Sequence, residues 1–203
     1  MKIIDLSMPL DKKTPTYPGD PSLEIKQVAE IEKDSWNEKR IHINTHCGTH
    51  LDAPSHMISE GRTLDDFPLE AFSGKGIVID VRKKEITLHC LKDITFPPKS
   101  VVLFLTGQAD QRYQKYYENA KFLSKEVAKK LVEQNVKAVG IDSFSPDEEP
   151  FPIHKILLSK NILIIENLIN LDKLVNRTFT ILFFPLPIKE GDGAPCRAIA
   201  FAQ

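Results

Sequence analysis

Apolar residues along the chain fall into short runs, many of them β-branched, cut by proline and glycine. Eight runs have the length and composition of strands: LEIKQVAEI (23–31), KRIHINTH (39–46), GIVIDV (76–81), SVVLFL (100–105), KAVGID (137–142), NILIIE (161–166), RTFTILFF (177–184) and CRAIAFA (196–202). One segment instead follows a helical period. In LSKEVAKKLVEQN (123–135), Ser124 is placed to cap the N-terminus, and Val127, Leu131 and Val132 form an apolar stripe. Shorter helices are expected near 65–72 and 154–160. Prolines gather between the runs, at 14–22, 96–100, 145–153 and 184–195, and mark loops there. The chain shows no repeat, low-complexity block or long linker, so residues 1–203 are expected to form one domain. Many strands with few helices predict an α/β or β-rich three-layer domain.

Composition narrows the possible partners. A chain of 203 residues that is 41% hydrophobic has enough apolar material for a sizeable core. Lys and Arg total 27 against 28 Asp and Glu, a net charge of −1. That balance supplies no basic field for nucleic acid or an anionic membrane, and a small-molecule ligand fits better. The opening MKIIDLSMPLDKK lacks the apolar core of a secretory signal. The best apolar run, ILLSKNILIIENLI, is broken by Ser159, Lys160, Asn161 and Glu166, short of the ~18 residues a membrane span requires. Three widely spaced cysteines (Cys47, Cys90, Cys196) without a CxxC argue against disulfides and for a reducing cytoplasm.

Candidate chemistry is concentrated in HCGTHLDAPSHM (46–57). Three of the six histidines of the chain, at 46, 50 and 56, share it with Asp52. In a helix, His46 and His50 would share a face and Asp52 would point away. Gly48 and Pro54 also oppose a helix interior. In a straight strand all four would share a face, but His46 and His56 would lie roughly 33 Å apart. A strand end bent at Gly48 and Pro54 brings them together. Imidazoles with a carboxylate suit zinc, and also manganese or iron. His46, His50 and Asp52 supply three ligands and leave a position for water. His56, with an ordinary pKa of about 6.5, is the candidate general acid/base. His42 has the right parity but stands upstream and reads as structural, and Cys47 points the other way on a strand.

Glu166 stands within an apolar run, where an unpaired carboxylate is costly. If a helix near 154–160 feeds a strand at 161–166, the chain doubles back and sets His154 beside Glu166, where a metal would stabilise both. An exposed strand-end Glu and a helix-capping His are the alternative, and spacing alone does not choose between them.

These residues carry a family pattern. HCGTHLDAPSH matches HxGTHxDxPxH, and the chain resembles the cyclase family of metal-dependent hydrolases, which includes bacterial kynurenine formamidase and isatin hydrolase. IIDLSMPL, TYPGDP, the Thr-Gly at 106–107, GIDSFSPD, IIENLINLDKL and PLPIKEGDGAPCRA resemble its other blocks. The resemblance implies a swivelling three-layer β/β/α domain with a mixed sheet, assembled as a homodimer or homotetramer. It implies two zinc ions, or manganese or a single ion. His46, His50 and Asp52 would hold one, with Asp52 bridging to a second held by His154 and Glu166. It implies hydrolysis of an amide or ester by metal-activated water, with His56 as acid/base and N-formyl-kynurenine as the leading substrate. A cyclic amide or lactone is the alternative substrate, and a non-catalytic metal-binding protein the alternative of another class. The bacterial formamidases carry Trp before PGD, where this chain has Tyr17, and many relatives carry a small residue or proline where it has Phe144. Both are expected to line the substrate pocket. Lys189, Asp192 and Arg197 are expected to fix loops.

Overall fold

The computed structural model describes residues 2–92 and 94–203. In chain order its elements are β1 (Lys2–Asp5), β2 (Glu24–Ala29), α1 (Ile31–Asp34), β3 (Glu38–His42), β4 (His50–Asp52), β5 (Ser73–Asp80), β6 (Val101–Leu105), α2 (Lys125–Glu133), β7 (Ala138–Ile141), α3 (Pro152–Leu158), β8 (Leu163–Glu166), β9 (Phe179–Pro185) and β10 (Gly193–Ala202). Eight strands form one sheet in the order β1-β10-β4-β8-β7-β6-β5-β9, and β9 also pairs with β10. Seven of the strands therefore close on themselves, and β1 adds to the outer edge of β10. The ladders from β5 to β8 are parallel. The others are antiparallel.

Side-chain alternation explains the layering. Val101, Leu103 and Leu105 of β6 enter the core enclosed by the sheet, with Leu163 and Ile165 of β8 and Ile181 and Phe183 of β9. The intervening Val102 and Phe104 join a second core with Val127 and Leu131 of α2 and Ile153 and Leu157 of α3. Strands under the helices are thus buried on both faces, which is why β6 is apolar at every position. The outcome is the expected mixed-sheet, three-layer β/β/α arrangement, its two β layers joined at their edges. Among the described residues no helix is long and apolar enough to cross a membrane.

Local departures have physical causes. Helix α2 is capped as expected, Ser124 Oγ accepting from the Val127 N–H at 3.3 Å. The 65–72 segment forms two 3-10 turns, Leu64–Asp66 and Leu69–Phe72, because Pro68 interrupts any continuous helix between them. The 39–46 strand stops at His42, which is exposed on β3, and β3 pairs only with β2 in a separate ribbon. The short strands β1 and β4 were not among the predicted runs.

Candidate metal centre

Strand register builds the centre. In β4, Leu51 is inward in the enclosed core, so His50 and Asp52 share the opposite face. His50 lies directly opposite Glu166 across the β4–β8 ladder, and Asp52 opposite Ile164. Ile164 belongs to the core beneath the helices, so Glu166 faces that side too. Helix α3 covers this face and lowers His154 toward it. Turns complete the set. His46 lies in the irregular segment before β4, with Gly48 at φ +65°. His56 closes the 3-10 turn Pro54–His56 directly after β4. The bends at Gly48 and Pro54 therefore flank a three-residue strand, which refines the single bent loop expected from the sequence.

The other five candidate side chains gather around Asp52. Its Oδ1 is 2.8 Å from His46 Nδ1 and 3.3 Å from His50 Nε2, and its Oδ2 is 3.6 Å from His154 Nε2. Glu166 is 3.3 Å from both His50 Nε2 and His154 Nε2. Among the described residues, two groups each bring one donor atom per residue within 4.8 Å of the others: His46, Asp52 and His56, and His50, Asp52 and Glu166. The grouping differs from the one implied by the resemblance. His50 sits with Glu166, and His56 stands with His46 and Asp52.

Two observations test whether these residues suit a cation. First, His50 Nε2 and Asp52 Oδ2 are buried without a hydrogen-bond partner, a costly state for such atoms. Second, the histidines are oriented from behind. His50 Nδ1 donates to the Gly48 carbonyl at 2.9 Å, and His154 Nδ1 donates to Asp147 at 2.5 Å. Each Nε2 is thereby turned toward the two carboxylates, the arrangement typical of metal-ligating histidines. The donor set fits a borderline divalent ion.

The electrostatics agree. Burial opposes charge on His50, but Asp52 and Glu166 outweigh it and push its pKa up to about 10. Burial likewise opposes charge on His154, and Asp147, Asp52 and Glu166 raise its pKa well above the ordinary value. Asp52 is held well below the carboxylate range despite its burial, because His154, His46 and His50 all approach it. His56 moves the other way: burial lowers its pKa, so it is neutral at pH 7. Burial pushes the Cys196 thiol up to about 12 and also raises Cys47, so neither offers a thiolate at neutral pH.

Sequence reasoning missed two participants. Asp147 anchors His154 and also accepts from the Ile153 N–H at 2.5 Å, tying the start of α3 to the centre. Asp192, read as a loop-fixing charge, sits one residue before β10 and reaches His46 Nε2 at 3.0 Å and His56 Nδ1 at 3.9 Å. Its neighbour in register, Gly193 opposite Asp52, offered a signal only once the β10–β4 pairing was known. Arg197 pairs with Asp5 on the surface, and Lys189 is exposed.

A cavity of about 390 Å³ opens over the centre, floored by His46, His56, His154 and Glu166. Tyr17 and Phe144 line it, together with Tyr117 and Phe151. The Phe144 ring is the hub of the aromatic wall, 4.8 Å from Tyr117 and 6.1 Å from Tyr17 between centroids.

Comparison with known proteins places this geometry. The Cyclase family model, described as "Putative cyclase", matches residues 4–148. Curated relatives include a kynurenine formamidase of Bacillus cytotoxicus, 31% identical over 97% of this chain and 95% of that protein. Another, from Geobacillus thermodenitrificans, is 32% identical over 96% and 95%. Among solved structures, isatin hydrolase A from Labrenzia aggregata, bound to benzyl benzoate, superposes with a TM-score of 0.87 at 26% identity, covering 98% of this chain and 93% of that one. A potential metal-dependent hydrolase with cyclase activity superposes at 0.85 with 26% identity, covering 100% and 98%. The sequence match and the fold agree, and the chain belongs to the cyclase family.

Proposed function

We propose that this protein is a metal-dependent hydrolase of small aryl amides, with N-formyl-kynurenine as its leading substrate and formate and kynurenine as products. The observation that carries the reading is the pair of buried, unpartnered atoms, His50 Nε2 and Asp52 Oδ2, in a cluster whose His46, His56, His154 and Glu166 line a cavity. His46, His50, Asp52, His154 and Glu166 would hold two zinc ions, with manganese as the alternative metal. When bound, such ions polarise a carbonyl and bring the pKa of a coordinated water toward about 7.

The chain's own residues supply the rest. Asp52 and Glu166 would offset part of the ions' charge, and the lowered pKa of Asp52 keeps it ionised at neutral pH. Asp147 and the Gly48 carbonyl fix the tautomers of His154 and His50. His56, neutral and at the cavity floor, takes up a proton from the nucleophilic water. It then returns the proton to the leaving nitrogen as the C–N bond breaks. Asp192, 3.9 Å from His56 Nδ1, stabilises the imidazolium that forms between these steps. The aromatic wall around Tyr17 and Phe144 excludes water and seats an aryl ring.

The similarity to isatin hydrolase favours a second reading, opening of a cyclic amide by the same machinery. Metal-depleted protein reloaded with zinc or manganese should be assayed on N-formyl-kynurenine and isatin side by side. Turnover of the formamide only after reloading is expected. Formamide turnover no faster than in the metal-free control would end the formamidase reading, and faster isatin opening would establish the second.

We further propose that the chain assembles as a homodimer or homotetramer. Ile31, Trp36 and Ile41, on and beside the β2–β3 ribbon, are exposed apolar side chains of the kind that interfaces cover.

A further inference from the structure

We infer that Asp20, with the rings of Tyr17, Tyr117 and Phe144, recognises an ammonium group on the substrate; this rests on the aryl-amide hydrolase reading above. Tyr17 and Asp20 are delivered together. The Asp20 N–H donates to the Tyr17 carbonyl at 2.9 Å, closing a turn over Pro18 and Gly19. Gly19 has φ +100°, the sign a type II turn demands at its third residue and one that glycine adopts without steric cost. The turn presents both side chains to the cavity that opens over the metal centre.

The charge on the cavity wall is one-sided. Among the described residues, Asp20 is the only carboxylate of the lining away from the centre, and no lysine or arginine lines it. No side chain of the wall therefore neutralises Asp20. Its charge is felt nearby: burial raises the Tyr117 hydroxyl above its ordinary range, and Asp20 is among the neighbours that raise it further. A carboxylate beside aromatic faces is a receptor for an alkylammonium. The carboxylate pairs with the charge, and the ring faces attract it through their quadrupoles. Asp20 and Tyr17 are exposed at the cavity mouth, so the pairing is of the modest strength of a solvated ion pair. A substrate carboxylate, in contrast, finds no cationic partner on this wall away from the metals. The specificity implied is for an aryl amide bearing a side-chain amine, with a carboxylate tolerated and not required.

The test compares three formanilides on zinc-loaded protein: N-formyl-kynurenine, its decarboxylated amine, and the acid that lacks the amine. The wild type should turn over both amines at comparable kcat/KM, and the acid about fivefold more slowly or worse, the size of a partly exposed charge pair. In Asp20→Asn the preference for amine over acid should collapse through KM, with Asp20→Glu restoring it. Calorimetric binding of the aromatic amine products to wild type and Asp20→Asn gives the same comparison without turnover. Equal kcat/KM for acid and amines in the wild type, or an unchanged preference in Asp20→Asn, would overturn the inference while leaving the hydrolase reading intact. Failure of all three substrates, with no weakening of amine binding in Asp20→Asn, would overturn both.

Discussion

The centre has an inner and an outer half, and they are built differently. His50, Asp52, His154 and Glu166 are buried, at 1%, 1%, 3% and 6% exposure. They sit on β4, β8 and α3, and are pinned by register and by partners behind them. His46, His56 and Asp192 occupy turns, with side-chain exposures of 19%, 25% and 46%. The His46 and His56 rings stack at 3.9 Å between centroids. Rigid, dry, over-charged groups suit holding a cation. Of the wetter groups on turns, His46 would complete the ligand set, while His56, neutral at pH 7, suits moving protons at the cavity floor. Asp52 joins the halves, since it belongs to both ligand sets.

Breaking the join should have the largest effect. Asp52→Ala removes the shared carboxylate, and activity should fall to the level of metal-free protein, checked by kinetics beside metal content. Activity retained within tenfold would refute the shared role. Removing a proton carrier from the outer half should separate chemistry from binding. His56→Ala should lower kcat by about 10²- to 10⁴-fold while the metal stays bound. Loss of metal instead would make His56 a ligand, as its grouping with His46 and Asp52 allows. Weakening the support of the inner half should be milder. Asp147→Asn should reduce metal affinity about 10- to 100-fold, measured by competition with a chelator, because His154 loses its orienting acceptor.

The smallest effect sharpens the comparison through pH. In metal-free protein, the pKa of His50 is raised from about 6.5 to about 10, and His154 shifts in the same direction. The stability contributed by these protonated rings is fully present below pH 6.5 and is lost as pH rises toward 10. Asp52, shifted down, contributes no slope in that window. Metal-free protein should therefore melt at a lower temperature at pH 9 than at pH 6.5. The gap to zinc-loaded protein should widen, because protons no longer compete for the ligands. A metal-free melting temperature flat across that range would contradict the raised pKa values.

The same division explains what the sequence disclosed. Strands β5 to β8 and helix α2 are legible because burial on both faces, or an amphipathic stripe, writes itself into composition. Strand β4 is not, because its three residues carry two polar groups, His50 and Asp52, that face the centre instead of the core. Closure of the sheet by β9 and β10 leaves no local mark either. The segment from His46 to His56 was conspicuous, since its residue types are rare and adjacent. His154 and Glu166 were visible only as oddities, a histidine after a proline-rich loop and a glutamate in an apolar run. Asp147 and Asp192 lie in loops of ordinary composition. Their roles come from the start of α3 and from the β10–β4 ladder, which bring distant chain together.

The central claim, that the buried half is built around metal, is tested most directly by metal analysis of chelated protein redialysed against zinc. The account predicts two zinc ions per wild-type chain and their loss in Asp52→Ala. Wild-type protein that emerges with no bound zinc or manganese, while remaining folded, would contradict it.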